Sequence, residues 1–202
     1  MADSLIEWDI AQLTLDGEGQ SGDCYLVKPF ETSVLLVVID GLGHGDKAAA
    51  AAKMAVETID ANARDSIISL FRRTHEALRQ SRGVVMSMAL IHGADAIMTW
   101  MGVGNVEGVM MRAHPDGKPQ KEFLLSRPDV LGGPLPLLDA SVTPIGPGDT
   151  LVFATDGIRS GFDQELNSHE HPKEIAANIM SKYSKNSDDA LVLVARYVGA
   201  CL

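Results

Sequence analysis

Residues 37–52 read VVIDGLGHGDKAAAAA. They close an apolar run, SVLLVVID (33–40), that has no polar alternation before its final aspartate. A strand that is apolar on both faces must be covered on both faces, which demands layers above and below its sheet. The glycines that follow permit a tight turn, and the alanines after them read as a helix from Asp46 to about Asn62, with Asp46 placed to cap it.

The rest of the chain follows the same grammar. LIEWDIAQLTL (5–15) and CYLVKPF (24–30) read as strands separated by the glycine-rich loop GEGQSGD (17–23). A second helix is expected from Asp65 to about Ser81, with Ile67, Leu70, Phe71 and Leu78 on one face. Four strand-like runs come next: VVMSMALIHG, AIMTWMGVG, VEGVMMRA and KEFLLS. The Pro- and Gly-rich stretch 127–148 reads as loop. DTLVFATDG carries a strand ending at Asp156, Pro172 to about Ser184 a third helix, and ALVLVARYV the last strand. Strands, two helices, a run of strands, a helix and a strand indicate α+β with antiparallel sheet. The 202 residues suit a single domain, 1–202.

Aspartates recur at strand ends. Asp23 precedes a strand, Asp40 and Asp156 close strands, and Asp188 and Asp189 open the last one. One Asp-Gly pair is ordinary turn chemistry. Four such sites favour convergence at a sheet rim, where clustered carboxylates need a counter-ion. Oxygen-only ligation suits Mg²⁺ or Mn²⁺. The Gly41 carbonyl is a further ligand candidate, and His44 is placed at the rim without binding an ion. The six histidines show no paired zinc spacing. GVGNVEG (102–108) lies between strands, and with no helix after it a dinucleotide loop is rejected.

The formal net charge of −10 argues against nucleic acid or an anionic membrane as partner. No apolar run approaches the roughly 20 residues of a membrane helix, and the first residues lack the basic-then-apolar pattern of a signal peptide. Cys24 and Cys201 read as idle thiols of a cytoplasmic protein.

The ordered set SGD, DGLGHG, RG (82–83), GVGNV, TDGIRSG and SDDALVLV, spanning 17–198, resembles the metal-dependent protein phosphatases of the PPM class, and the SpoIIE-like branch in particular. The resemblance implies a four-layer α-β-β-α sandwich, two stacked antiparallel sheets flanked by helices, with two Mn²⁺ or Mg²⁺ at one end. Asp40 should bridge both ions, the Gly41 carbonyl should bind one, and Asp156 and Asp188 the other. Asp23 should hold water on an ion or reach an ion directly, with Asp189 and His44 behind or beside the ligands. Many eukaryotic members hold phosphate with an arginine near the amino terminus. No arginine precedes SGD here, so the ions carry more of that binding, with Arg82 and Arg159 as possible phosphate or substrate contacts. Ser21 and Ala190-Leu191 depart from the motif, which has Gly at the first place and usually reaches a Thr after the last aspartates. No sensory region is expected ahead of the catalytic domain.

The implied activity is hydrolysis of phosphoserine or phosphothreonine on a protein, the expected partner being a phosphorylated STAS-domain scaffold of the stressosome. A phosphoprotein-binding pseudophosphatase and a hydrolase of small phosphate esters are the alternatives.

Overall fold

The computed structural model describes residues 5–113, 120–135 and 137–199. Ten strands and three helices follow one another as β1 (Ile6–Leu13), β2 (Asp23–Phe30), β3 (Ser33–Gly41), α1 (Asp46–Ala61), α2 (Ile67–Ala77), β4 (Val84–His92), β5 (Ile97–Val103), β6 (Glu107–Arg112), β7 (Gln120–Leu124), β8 (Ser141–Pro144), β9 (Thr150–Ala154), α3 (Pro172–Tyr183) and β10 (Ala190–Tyr197). They build two five-stranded antiparallel sheets, ordered β1-β10-β9-β6-β7 and β2-β3-β4-β5-β8.

Strand alternation sorts the apolar residues into three layers. Val34, Leu36 and Val38 of β3 meet Leu151, Phe153, Leu191 and Leu193 between the sheets. Leu35, Val37 and Ile39 point the other way, onto the alanines and Ile59 of α1 and onto Leu70 and Phe71 of α2. Ile175, Ala176 and Ile179 of α3 cover Val192 and Val194 on the outer face of the second sheet. The order is helices, sheet, sheet, helix, the four-layer sandwich expected. The alanines explain how closely α1 approaches: they present almost no bulk, so the helix backbone lies near the sheet, and a Cβ at Gly41 would run into the Ala48 carbonyl.

Helix starts are set locally. Ser66 caps α2 by accepting from Ser69 N at 3.3 Å. His171 Nδ1 accepts from Lys173 N and Glu174 Oε2 accepts from His171 N, a reciprocal cap ahead of Pro172. Asp46 does not cap α1. Gly45 holds the cap position and makes no side-chain bond, and Asp46 is the first helical residue, where its charge meets the positive end of the helix.

Three other boundaries differ from the sequence reading. The second helix is shorter at both ends, Ser66 being its cap. The stretch 127–148 contains β8, whose four residues pair with β5. The strand expected to end at Asp156 stops at Ala154, leaving Asp156 in the turn beyond it. Cys24 is a free thiol raised above its usual pKa, chiefly by burial and also by Asp23, and Cys201 lies outside the described residues.

Candidate metal centre

The alternation that builds the core between the sheets also delivers polar groups to one end of it. Asp40 continues the inward positions Val34, Leu36 and Val38, and Asp23 is its cross-strand partner in β2. In the other sheet, Thr155 continues Leu151 and Phe153, and Asp189 precedes Leu191 and Leu193 in the same phase. Four polar residues from two sheets thus cap one end of an apolar interior.

Side-chain hydrogen bonds fix them. Thr155 Oγ1 donates to Asp23 Oδ2 at 2.7 Å and accepts from Leu191 N at 2.8 Å. The hydroxyl thereby serves the segment after Asp189, where the sequence lacks the usual threonine. Asp189 is 4% exposed and spends both oxygens on backbone amides, accepting from Leu15 N at 2.9 Å and from Gly22 N at 2.6 Å. It anchors the glycine-rich loop ahead of β2.

Asp40, Asp156 and Asp188 face outward from this base and line a cavity of about 390 Å³. Asp156 Oδ2 accepts from Asn105 Nδ2 at 2.8 Å, and Asp188 Oδ1 accepts from Asp189 N at 2.9 Å. Asn105, in the turn between β5 and β6, and Asp129, from the loop after β7, also line the cavity. The sequence reading missed Asn105, Asp129 and Thr155. The only signal for Asn105 was its place in a glycine-flanked turn, and Thr155 was legible only as the residue in phase with Phe153.

Like charges opposite one another in an antiparallel ladder repel. Burial first, then neighbouring carboxylates, push Asp40 up to about 8. Asp23 rises to about 7 because burial, joined by Asp189, Asp156 and Asp188, outweighs the Thr155 hydrogen bond that lowers it. No basic side chain figures among the groups acting on either residue. The site accumulates negative charge and leaves its neutralisation to protons or to a cation.

The donors suit a hard divalent ion: they are all oxygen, and Asp23 and Asp156 each have only one carboxylate oxygen taken by a side chain. Among the described residues, no three acidic, histidine or cysteine side chains close on one point as a complete chelate. The carboxylates ring a cavity instead, so an ion there keeps water in its shell, as Mg²⁺ does by preference.

The remaining candidates lie at varied distances from this centre. His44 stands at the rim, mostly exposed, with Nδ1 2.8 Å from Glu18 Oε1. Arg82 lies over the glycine loop, where a Cβ at Gly43 would come 2.8 Å from its Nη1, and Gly43 itself lines the cavity. Arg159 is turned elsewhere, donating through Nη2 to the Lys182 carbonyl near the end of α3 at 2.6 Å.

Comparison with known proteins agrees with the architecture. Residues 31–198 match the family Stage II sporulation protein E (SpoIIE). The phosphoserine phosphatase RsbX of Bacillus subtilis (strain 168) is 23% identical over 186 residues, covering 92% of this chain and 91% of RsbX. A crystal structure of RsbX in complex with magnesium superposes with a TM-score of 0.84 at 21% identity, covering 95% of this chain and 94% of that one. A chain solved in work on the bacterial stressosome, as a modular system adapted to control secondary-messenger signalling, also gives 0.84, at 29% identity, covering 95% of this chain and 99% of that one. The chain belongs to the SpoIIE family, a branch of the PPM serine/threonine phosphatases.

Proposed function

We propose that this phosphatase removes phosphate from serine or threonine of a stressosome protein, a STAS-domain scaffold being the expected substrate, with two Mn²⁺ or Mg²⁺ as cofactors. The observation that carries the metal reading is the cross-strand pair Asp23 and Asp40, buried without a basic partner beside a cavity lined by Asp40, Asp156 and Asp188. Asp40, Asp156, Asp188 and the Gly41 carbonyl would hold the ions, with Asp23 acting through a bound water or directly. When bound, the ions supply positive charge to the phosphate oxygens and acidify the attacking water.

The chain's own residues set the geometry. Asn105 fixes one oxygen of Asp156 and leaves the other free. Thr155 does the same for Asp23. Asp189, with both oxygens bound to the backbone, positions the loop beneath the site and is not itself expected to ligate. Arg82, beside the Gly43 that lines the cavity, would meet a phosphate oxygen there. The backbone contact of Arg159 assigns it to holding the end of α3. His44 and Glu18 order the rim.

No helix among the described residues is long and apolar enough to cross a membrane, and the RsbX likeness supports a cytoplasmic setting. The test is hydrolysis of p-nitrophenyl phosphate with Mn²⁺, Mg²⁺ or EDTA, by the wild type and by Asp40→Asn. Release that needs metal and disappears in the variant supports the reading. No release with any metal from a folded protein overturns it in favour of a phosphoprotein-binding adaptor.

A further inference from the structure

Among the described residues, strands β7 and β8 end their respective sheets, each paired on one side only, β7 with β6 and β8 with β5. Free strand edges are normally short, charged or covered. Here the two edges flank an open groove of about 640 Å³, whose lining includes Trp100, Phe123, Leu125, Arg127 and Pro128. Eight large apolar side chains are strongly exposed among the described residues, and five of them, Phe123, Leu125, Leu135, Leu137 and Val142, lie within 123–142. Leu125 is 84% exposed and Phe123 61%. Of these, Phe123 and Leu125 line the groove, and exposed apolar side chains gathered at one place mark an interaction surface.

The groove adjoins the catalytic cavity, Pro128 lining both. Asp129 and Val130, the next two residues, continue along the cavity wall. A polypeptide whose phosphorylated residue sits over Asp40 must leave the cavity along the surface, and this is an apolar exit with unpaired strand edges beside it. A second copy of the chain seated here would lie beside the mouth of the cavity and crowd it, which disfavours a dimer contact. Arg127, 3.6 Å from Asp139 and half exposed, adds a charged pair to a lining in which Glu122, Ser126, Ser141 and Thr143 alternate with the apolar side chains.

We infer that the groove between β7 and β8 docks an extended, apolar segment of the phosphoprotein substrate, flanking its phosphorylated residue. The inference rests on the phosphatase reading for the identity of that substrate. Backbone pairing to an open edge supplies affinity in such complexes, and pockets for side chains supply selectivity.

The probe is a set of labelled phosphoserine peptides, otherwise polar, in which a Leu-Leu pair is moved stepwise from the amino-terminal to the carboxy-terminal side of the phosphoserine. Binding is read by fluorescence anisotropy with Mg²⁺ and turnover by phosphate release, for the wild type and for a Phe123→Ser, Leu125→Ser double variant. Both replaced side chains are exposed, and circular dichroism checks the fold. The expected result is one placement of the pair that binds about tenfold tighter than the rest, lost in the variant, with p-nitrophenyl phosphate hydrolysis unchanged. Equal binding of all peptides, or a preference that survives the substitutions, overturns the inference. A preference lost in the variant, with no phosphate released from any substrate, upholds the groove and sinks the phosphatase reading. Sedimentation showing a dimer that these substitutions dissociate assigns the patch to a second copy and overturns the docking.

Discussion

Two clusters of buried or half-buried acids are built from the same two sheets and treated in opposite ways. Near the β6–β9 edge, Arg112 donates to Asp149 at 2.9 Å, to Glu122 at 2.8 and 3.0 Å, to Thr143 at 2.7 Å and to the Pro144 carbonyl at 2.7 Å. Asp149 also accepts from Ala113 N and Gly146 N. The Arg112 hydrogen bond holds Glu122 below its usual pKa. At the catalytic end, Asp23 and Asp40 face one another with no such cation, and both are pushed up. The first cluster carries its counter-charge in the chain and works as a fastener. The second leaves that place to something that can exchange, and so to chemistry. Burial alone does not distinguish a structural carboxylate from a functional one; the origin of its compensation does.

The sharpest way to break this contrast is Asp40→Asn. Metal-dependent turnover should fall about a hundred- to a thousandfold, as expected for removal of an electrostatic element of the transition state, read as kcat for p-nitrophenyl phosphate. The metal-free protein should become more stable, because a repelling partner is gone, with Tm up by roughly 2–4 °C per kcal/mol relieved. A variant that loses activity and stability together would refute the idea that this cluster is held under repulsion.

Arg112→Met should do the reverse. It strands Asp149 and Glu122 without their cation, at about 2–3 kcal/mol, below the figure for a fully buried pair because Glu122 is partly exposed. Urea denaturation measures the loss, while kcat per folded molecule should hold.

The pH dependence sharpens the contrast further. Asp23 and Asp40 have folded pKa values above their unfolded ones, so they stabilise the fold at low pH, and that contribution is lost as pH rises through about 7 to 8. In EDTA, Tm should fall between pH 5 and pH 8.5. Adding Mg²⁺ should restore more at the higher pH, where fewer protons must be displaced, and Asp40→Asn should flatten the profile. A Tm in EDTA that rises over this range would contradict the assignment.

Thr155→Val is a smaller perturbation. It removes the hydroxyl between Asp23 and Leu191 N and should cost about 1–3 kcal/mol, visible as a lower urea midpoint. His44→Ala, at an exposed rim contact, should change stability by less than about 0.5 kcal/mol, and peptide turnover more than p-nitrophenyl phosphate turnover.

The sequence carried the layered fold because period-two alternation is local, and β3 states its two-sided burial in eight consecutive residues. Asp23, Asp40, Asp156, Asp188 and Asp189 were all legible as aspartates at the ends of apolar runs. Asp156 and Asp188 sit in irregular backbone just outside strands, where alternation no longer says where a side chain points. Thr155, Asn105 and Asp129 gain their roles from partners far away in the chain, and no local pattern announces such pairs. The strand β8 was hidden by its setting, four residues within a Pro- and Gly-rich stretch, and its pairing with β5 is what makes it a strand. Arg159 was adjacent to a motif in sequence but is drawn off by a helix end.

The two hydrogen bonds of Asp189 span 174 and 167 residues, to Leu15 and to Gly22. β1 likewise closes on β10. The floor of the site is therefore among the last things this chain can complete during synthesis, since the anchoring carboxylate emerges after nearly everything it anchors. Contacts of such long range form slowly. A chain without Asp189 and β10 would still have β2 to β5 to pair with one another and would lack an ordered glycine loop. Competence for catalysis thus reports that β1 and the loop after it have met the start of β10.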